Sequence, residues 1–366
     1  MFLALREMKH AKFRYVLIGF IMVLIAWLVF FVSGLAQGLS SDNASSIEQM
    51  KANYFVLQKD TDNKLTRSIL EDDVYQDVKQ LVQEQEAAPL GVQMTTVIKG
   101  NEKMDVTFFA IDPKSFLMPA VKEGSALNAT TANEVIADRS LQEEGMQLGD
   151  LIQDEMTGKE FTIVGFTENQ SFSHTPVIFM NFAGWSSMQQ AKFNSSDKES
   201  FNGIALNTTK DTADSLGKQL TNVDVITQKE ALQGIPGFTE EQGSLLMMIV
   251  FLFIIAAFVL AVFFYVMTIQ KINQFGVLKA IGAKQIYLAK NMISQVLILA
   301  VSSLLVSISL TYVMANLLPS SMPFDLNPSL IIGCSALFLA VSLAGSLISL
   351  YKVKKVDAVD AIGRAI

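Results

Sequence analysis

The sequence predicts an α-helical membrane protein with four transmembrane helices and an extracellular α+β domain inserted between the first and second. Three observations predict it. The 366 residues are 51% hydrophobic and 17% charged, and the apolar ones gather into four blocks, 15–41, 242–270, 291–324 and 326–351, that contain no Asp, Glu, Lys or Arg. Each block has at least 26 residues, whereas roughly 20 residues rising 1.5 Å apiece cross the hydrocarbon layer. Residues 40–243, between the first two blocks, are polar and read as a folded domain rather than a linker. Charge then divides by segment. The two termini and the connection after the second block hold 12 basic and 3 acidic residues, against 16 basic and 31 acidic in residues 40–243. Because basic residues stay on the cytoplasmic side, both termini are expected inside and the inserted domain outside.

In chain order, residues 1–14 are expected as a cytoplasmic helix and 15–41 as the first span. With an apolar stretch of about 24 residues, this block is longer than a signal-peptide core. Residues 42–241 form the inserted domain. Alternating apolar patterns predict strands at Val106–Ile111, Glu134–Ala137, Phe161–Phe166 and Val177–Met180. Helical spacing predicts helices at Asp72–Glu84 and Thr212–Leu220, with a further strand at Val223–Thr227, and Gly145, Gly149 and Gly158 mark sheet corners. The second span, 242–270, contains no Pro and is expected to continue as a helix into the connection 271–290. There Ile272, Phe275, Leu278 and Ile281 keep a three-residue spacing, and Gly282 stops the helix in a left-handed turn. Spans at 291–318 and 330–351 flank a rigid outer loop, 319–329, carrying Pro319, Pro323 and Pro328, and 352–366 form a cytoplasmic tail. The single cysteine, Cys334, lies in the fourth block, so no intrachain disulfide is possible.

Several chemistries are excluded. Gly158-Lys159 and Gly217-Lys218 lack the remaining residues of a phosphate-gripping loop. His10 and His174, the only histidines, are assigned to opposite sides of the membrane, which leaves no His-based zinc site or hydrolytic triad. No Asp, Glu, Lys, Arg or His falls inside the four blocks, so no ion relay through the spans is expected. The acidic inserted domain and the membrane-bound basic patches give no nucleic-acid footprint.

Certain stretches carry a resemblance. TIQKINQFGVLKAIGAK (268–284) resembles the cytoplasmic coupling segment, and VDAVDAIGRA (356–365) the tail motif, of permeases of the MacB/FtsX type of ABC transporter, with Asn273-Gln274 where many members carry Arg-Glu. FFVSGLAQGLSSDN (30–43), the Met322-Pro323-Phe324 tripeptide and the same tail are similar to the haem-efflux branch of that family. The resemblance implies a non-catalytic, homodimeric permease in the cell membrane of a Gram-positive bacterium. It implies haem as the transported substrate and ATP bound by a separate, HrtA-like ATPase subunit, with no cofactor of the permease itself. Export of a lipopeptide or antimicrobial peptide, and FtsX-like regulation of a wall hydrolase, remain open.

A site for haem should combine apolar walls with a few polar atoms and an axial ligand. Ile47, Met50 and Tyr54 would share one face if the first helix continued past the membrane, with Glu48 beside them. Met247 and Phe251 open the second span. Glu48, Met50, Tyr54, Met247 and Phe251 are therefore the expected haem-binding residues. Phe275, Leu278 and Ile281, ending at Gly282 and flanked by Lys279, are the expected contact with the ATPase. Gly34 and Gly38, a small-x-x-x-small pair, are expected to allow a dimer contact or a close contact between the first and second spans.

Overall fold

The computed structural model describes residue 6 and residues 12–193, 200–319 and 322–354. The expected N-terminal helix is therefore almost wholly outside the described residues, as is the tail motif. Two compact units are present: Leu39–Gln242, and the residues up to Gly38 together with those from Gly243 onward.

The second of these is helical. Its helices are α1 (Lys12–Glu48), which runs on into the inserted unit, α7 (Phe238–Gln270), which begins there, α8 (Ile272–Ala280), α9 (Gln285–Ala315) and α10 (Pro328–Lys354). Four of them, all but α8, are long and apolar enough to cross a membrane. Their shared core holds Met22, Ala26 and Phe30 of α1, Leu260 and Phe264 of α7, Val296 and Ala300 of α9 and Phe338 of α10. Small polar groups assist the packing: the hydroxyls of Ser303 and Ser307 on α9 donate to the carbonyls of Gly19 (3.3 Å) and Val23 (2.9 Å) on α1. Such bonds are valuable where no water competes.

Gly34 and Gly38 do sit at a close approach, but the partner is the connection between the third and fourth spans. A Cβ on Gly34 would lie 2.7 Å from the Phe324 ring, and one on Gly38 would overlap the backbone of Pro323 and Phe324. The Asp325 amide also donates to the Gly34 carbonyl at 3.1 Å. The expected contact with the second span is thus replaced by a Pro-fixed loop whose main chain lies on the glycine face. Gly38→Ala should destabilise the chain by about 1–3 kcal/mol, since backbone cannot step aside as a side chain can. It should lower the apparent Tm in detergent, while Gly333→Ala, where a Cβ meets nothing within 4 Å, should leave it unchanged.

The inserted unit is α+β. Its strands are β1 (Tyr54–Gln58), β2 (Leu70–Glu71), β3 (Ala87–Lys99), β4 (Glu102–Ala110), β5 (Glu123–Gly124), β6 (Glu134–Asp138), β7 (Leu151–Asp154), β8 (Glu160–Thr167), β9 (Ser171–Phe172), β10 (Thr175–Met180), β11 (Ser200–Phe201), β12 (Gly203–Leu206) and β13 (Val223–Thr227). Helices α2 (Asp72–Leu81), α3 (Ser140–Glu143), α4 (Phe182–Phe193), α5 (Lys210–Gln219) and α6 (Gln228–Gln233) lie between them. The main sheet runs β13-β1-β12-β3-β4-β10-β6-β8-β5. Its 13-residue strand β3 joins two halves, pairing with β12 through Ala87–Leu90 and with β4 through Gly91–Lys99. Buried Phe109 packs edge-on against Phe172 and Phe179, with centroids 5.6 and 5.8 Å away, and burying each such ring is worth roughly 1.5–3 kcal/mol.

The expected strands and both expected helices are present, although the first helix ends at Leu81 instead of Glu84. Gly145, Gly149 and Gly158 all have positive φ. Two expectations of helix continuity fail. α1 stops at Glu48 because the Met50 amide turns back to the Ile47 carbonyl and Asn53 is drawn into the sheet by Leu206. Ile47, Met50 and Tyr54 therefore share no helical face. The second span also breaks once, at Lys271 between α7 and α8. Just before the break the Thr268 hydroxyl bonds to the Phe264 carbonyl four residues back, at 2.6 Å, an interaction that bends helices.

Candidate functional site

Within the inserted unit, the end of α1 and the short helix α6 build a cavity. Thr227 and Glu230 form a reciprocal capping box at the start of α6, which satisfies donors that a helix terminus leaves open. These bonds hold the Glu230 carboxyl below its ordinary range, the backbone N–H of Thr227 contributing most. The next residue, Gln228, reaches across to α1. Its side-chain amide donates to the carbonyls of Ile47 (2.7 Å), Glu48 (3.3 Å) and Met50 (3.3 Å), closing part of the open C-terminal turn. This clamp sets Lys229 and Glu48 on one cavity of about 330 Å³, lined further by the polar Ser40, Gln233, Thr239 and Gln242 and the apolar Leu232 and Phe238. Among the described residues neither Glu48 nor Lys229 makes an ion pair. An unpaired carboxylate, an unpaired ammonium and an apolar wall suit an amphipathic ligand that offers both an electrophilic and an anionic group.

The same unit carries a clasp that the sequence did not reveal. Ser173 and His174 form the two-residue tip between β9 and β10, with φ of 52° and 61°. This left-handed pair is normally met by Asn-Gly. One ring nitrogen of His174 faces Asp42 at 2.9 Å and the other faces Glu241 at 3.1 Å. The Asn43 amide reaches the same Glu241 oxygen at 2.5 Å, and the Ser173 amide donates to the Asn43 carbonyl at 2.7 Å. A strained hairpin tip thus ties the end of α1 to the start of α7 beside the cavity.

The other expected haem residues lie elsewhere. Met50 is half-buried against the main core of the inserted unit. Tyr54 starts β1 and packs on the core beneath α2 and α5. Neither lines the cavity with Glu48. Met247 and Phe251 belong to the helical unit, where they are 59% and 57% exposed on α7.

The coupling segment is also rearranged. Phe275 is buried against Leu288 and Met292, with Leu278 half-buried beside it. Phe275 is therefore unavailable as a contact for another subunit. Val277 and Ile281, one turn apart, are exposed, as are Ile286 and Tyr287 at the start of α9. Gly282, with φ of 99°, ends the helix as expected, and the Ala283 amide caps the Leu278 carbonyl at 2.9 Å. The Lys279 side chain lies outside the described residues. At the break before this helix, Lys271 is buried, and its ammonium donates to Gln295 at 2.7 Å. Tyr15 bonds to the same oxygen at 2.8 Å. A cation is thus enclosed at the helix break, and it links α1 and α9 to the base of α7.

Comparison with known proteins matches both halves of the chain. Residues 17–223 match the MacB-like periplasmic core domain and residues 246–358 the FtsX-like permease C-terminal domain. The chain is 32% identical over 363 residues to a hemin transport system permease protein, HrtB, of Staphylococcus haemolyticus, covering 99% of both. It is 33% identical over 371 residues to an HrtB of Staphylococcus epidermidis, again covering 99% of both. The chain belongs to the MacB/FtsX family of ABC transporter permeases. A solved periplasmic region of MacB from Actinobacillus actinomycetemcomitans is similar over 52% of this chain and 94% of that one, with 14% identity and a TM-score of 0.38. As a multi-pass permease, the chain thus joins a membrane-crossing helix to an ionisable cavity at its end. Of the cavity's residues only Glu48 was anticipated. The Thr227-x-x-Glu230 spacing, a capping-box signature, was the sequence signal that could have located Lys229.

Proposed function

We propose that this permease exports haem from a bacterial membrane, driven by a separate HrtA-like ATPase. Both termini then lie in the cytoplasm and the inserted domain lies outside, as the segregated charge favours. The permease works as a homodimer in a Gram-positive cell, and ATP is bound by the partner. The observation that carries the reading is the cavity at the end of α1, where Glu48 and Lys229, without an ion pair among the described residues, lie beside Leu232 and Phe238. Haem is an apolar ring with an iron that takes an axial ligand and carboxylates along one edge. Glu48 supplies the ligand, and Leu232 and Phe238 supply apolar wall. The exposed Met247 and Phe251 are further apolar contacts for cargo along the second span, to be tested separately. Identity of about a third to hemin transport permeases supports the same cargo.

The test is growth of a haem-sensitive strain lacking its own pump. Expression of the permease with its ATPase should restore tolerance to haem and leave sensitivity to antimicrobial peptides unchanged. Peptide resistance without haem tolerance would instead assign the export machinery to peptides.

A further inference from the structure

We propose that Lys229 is the specificity-determining residue of this cavity, recognising a carboxylate of the cargo and so selecting porphyrins that carry free acid groups. This rests on the reading of the cavity as a haem site and adds the basis of discrimination within it. Three observations lead here. First, the backbone that carries Lys229 is held in place while its side chain stays exposed: it follows the capping residue Thr227 and the clamp residue Gln228, whose three bonds to the end of α1 hold α6 against the turn that bears Glu48. Second, the acid nearest in sequence, Glu230, is occupied in the capping box, accepting from the amide and hydroxyl of Thr227 at 2.7 and 2.8 Å. Among the described residues no carboxylate pairs with Lys229. Third, the cavity's other polar contributors are neutral apart from Glu48. An acidic ligand entering it meets one cation and one anion. Its carboxylate is repelled by Glu48 and attracted by Lys229, so the ligand is oriented with its acid edge toward α6 and its electrophilic centre toward α1.

Blocking the ligand's acids and removing the ammonium form a double-mutant cycle. The full chain in nanodiscs is titrated at low ionic strength with haem and with haem dimethyl ester, in wild type, Lys229→Met and Lys229→Arg. Wild type should bind haem roughly tenfold more tightly than the ester, a preference that fades as salt screens the pair. Lys229→Met should bind both ligands equally, through loss of affinity for haem alone, with the form of the Soret band unchanged because the iron ligand is untouched. Lys229→Arg should restore the preference. If Lys229→Met keeps the wild-type preference, or if wild type binds haem and ester equally, Lys229 is not the recognition residue although the haem site stands. If wild type shows no saturable binding of either ligand, the haem reading fails and this assignment fails with it.

Discussion

Ile281→Asp should leave the permease inserted in the membrane and deprive it of its ATPase. Ile281 is 78% exposed at the Gly282 stop of α8, and Val277, one turn earlier, is 52% exposed. Neither supports the fold from that position. Phe275 and Leu278 already pack on Leu288 and Met292, so Val277 and Ile281 are what α8 can offer to an apolar groove. A carboxylate carried into such a contact without a partner is penalised by several kcal/mol, enough to weaken association more than 100-fold. Co-purification of the ATPase and stimulated hydrolysis should both be lost, and Val277→Asp should act similarly. Gln274→Asp, also exposed on α8, should bind as wild type does. A normal complex with both apolar variants changed would remove α8 as the coupling element.

Glu48→Ala should produce the other large effect, a change in the Soret spectrum of bound haem with affinity lower by about 2–3 kcal/mol, on the order of 30- to 150-fold. The loss is electronic as well as energetic because only the axial ligand touches the iron. Tyr54→Phe should change neither quantity, since Tyr54 packs within the sheet of the inserted unit and does not line the cavity. The two substitutions thus separate the helical-face expectation from the cavity that the fold builds. An unaltered spectrum in Glu48→Ala, with Tyr54→Phe shifted, would restore the former.

These contrasts show which features can be read from sequence. The spans were legible because a run of more than 20 residues without charge has few alternatives in a folded chain. The strands at Phe161–Phe166 and Val177–Met180 were legible because alternation is a local property. The stop of α1 was not, since the residues after Glu48 include no Gly or Pro until Ala87-Ala88-Pro89, and the helix yields to pairing between Asn53 and Leu206, more than 150 positions away. Burial of Lys271 escaped notice for a related reason. It sits at the edge of an apolar block, and its enclosure depends on side chains of two other helices, Gln295 and Tyr15 among them. The setting of His174 is equally non-local, since its partners are carboxylates at the end of α1 and the start of α7. The spacing of Gly34 and Gly38 pointed to a dimer or to the second span, whereas the segment lying against them is the loop at Pro323 and Phe324, because spacing does not say which segment approaches.

Haem export itself is tested most directly by reconstituting the permease with its ATPase in proteoliposomes preloaded with haem, and following membrane haem by absorbance after ATP is added. Haem should leave the bilayer for an apo-haem-binding protein in the bath only when ATP is hydrolysed, and the rate should collapse in Glu48→Ala. Vigorous ATP hydrolysis with membrane haem unchanged would contradict haem as the cargo.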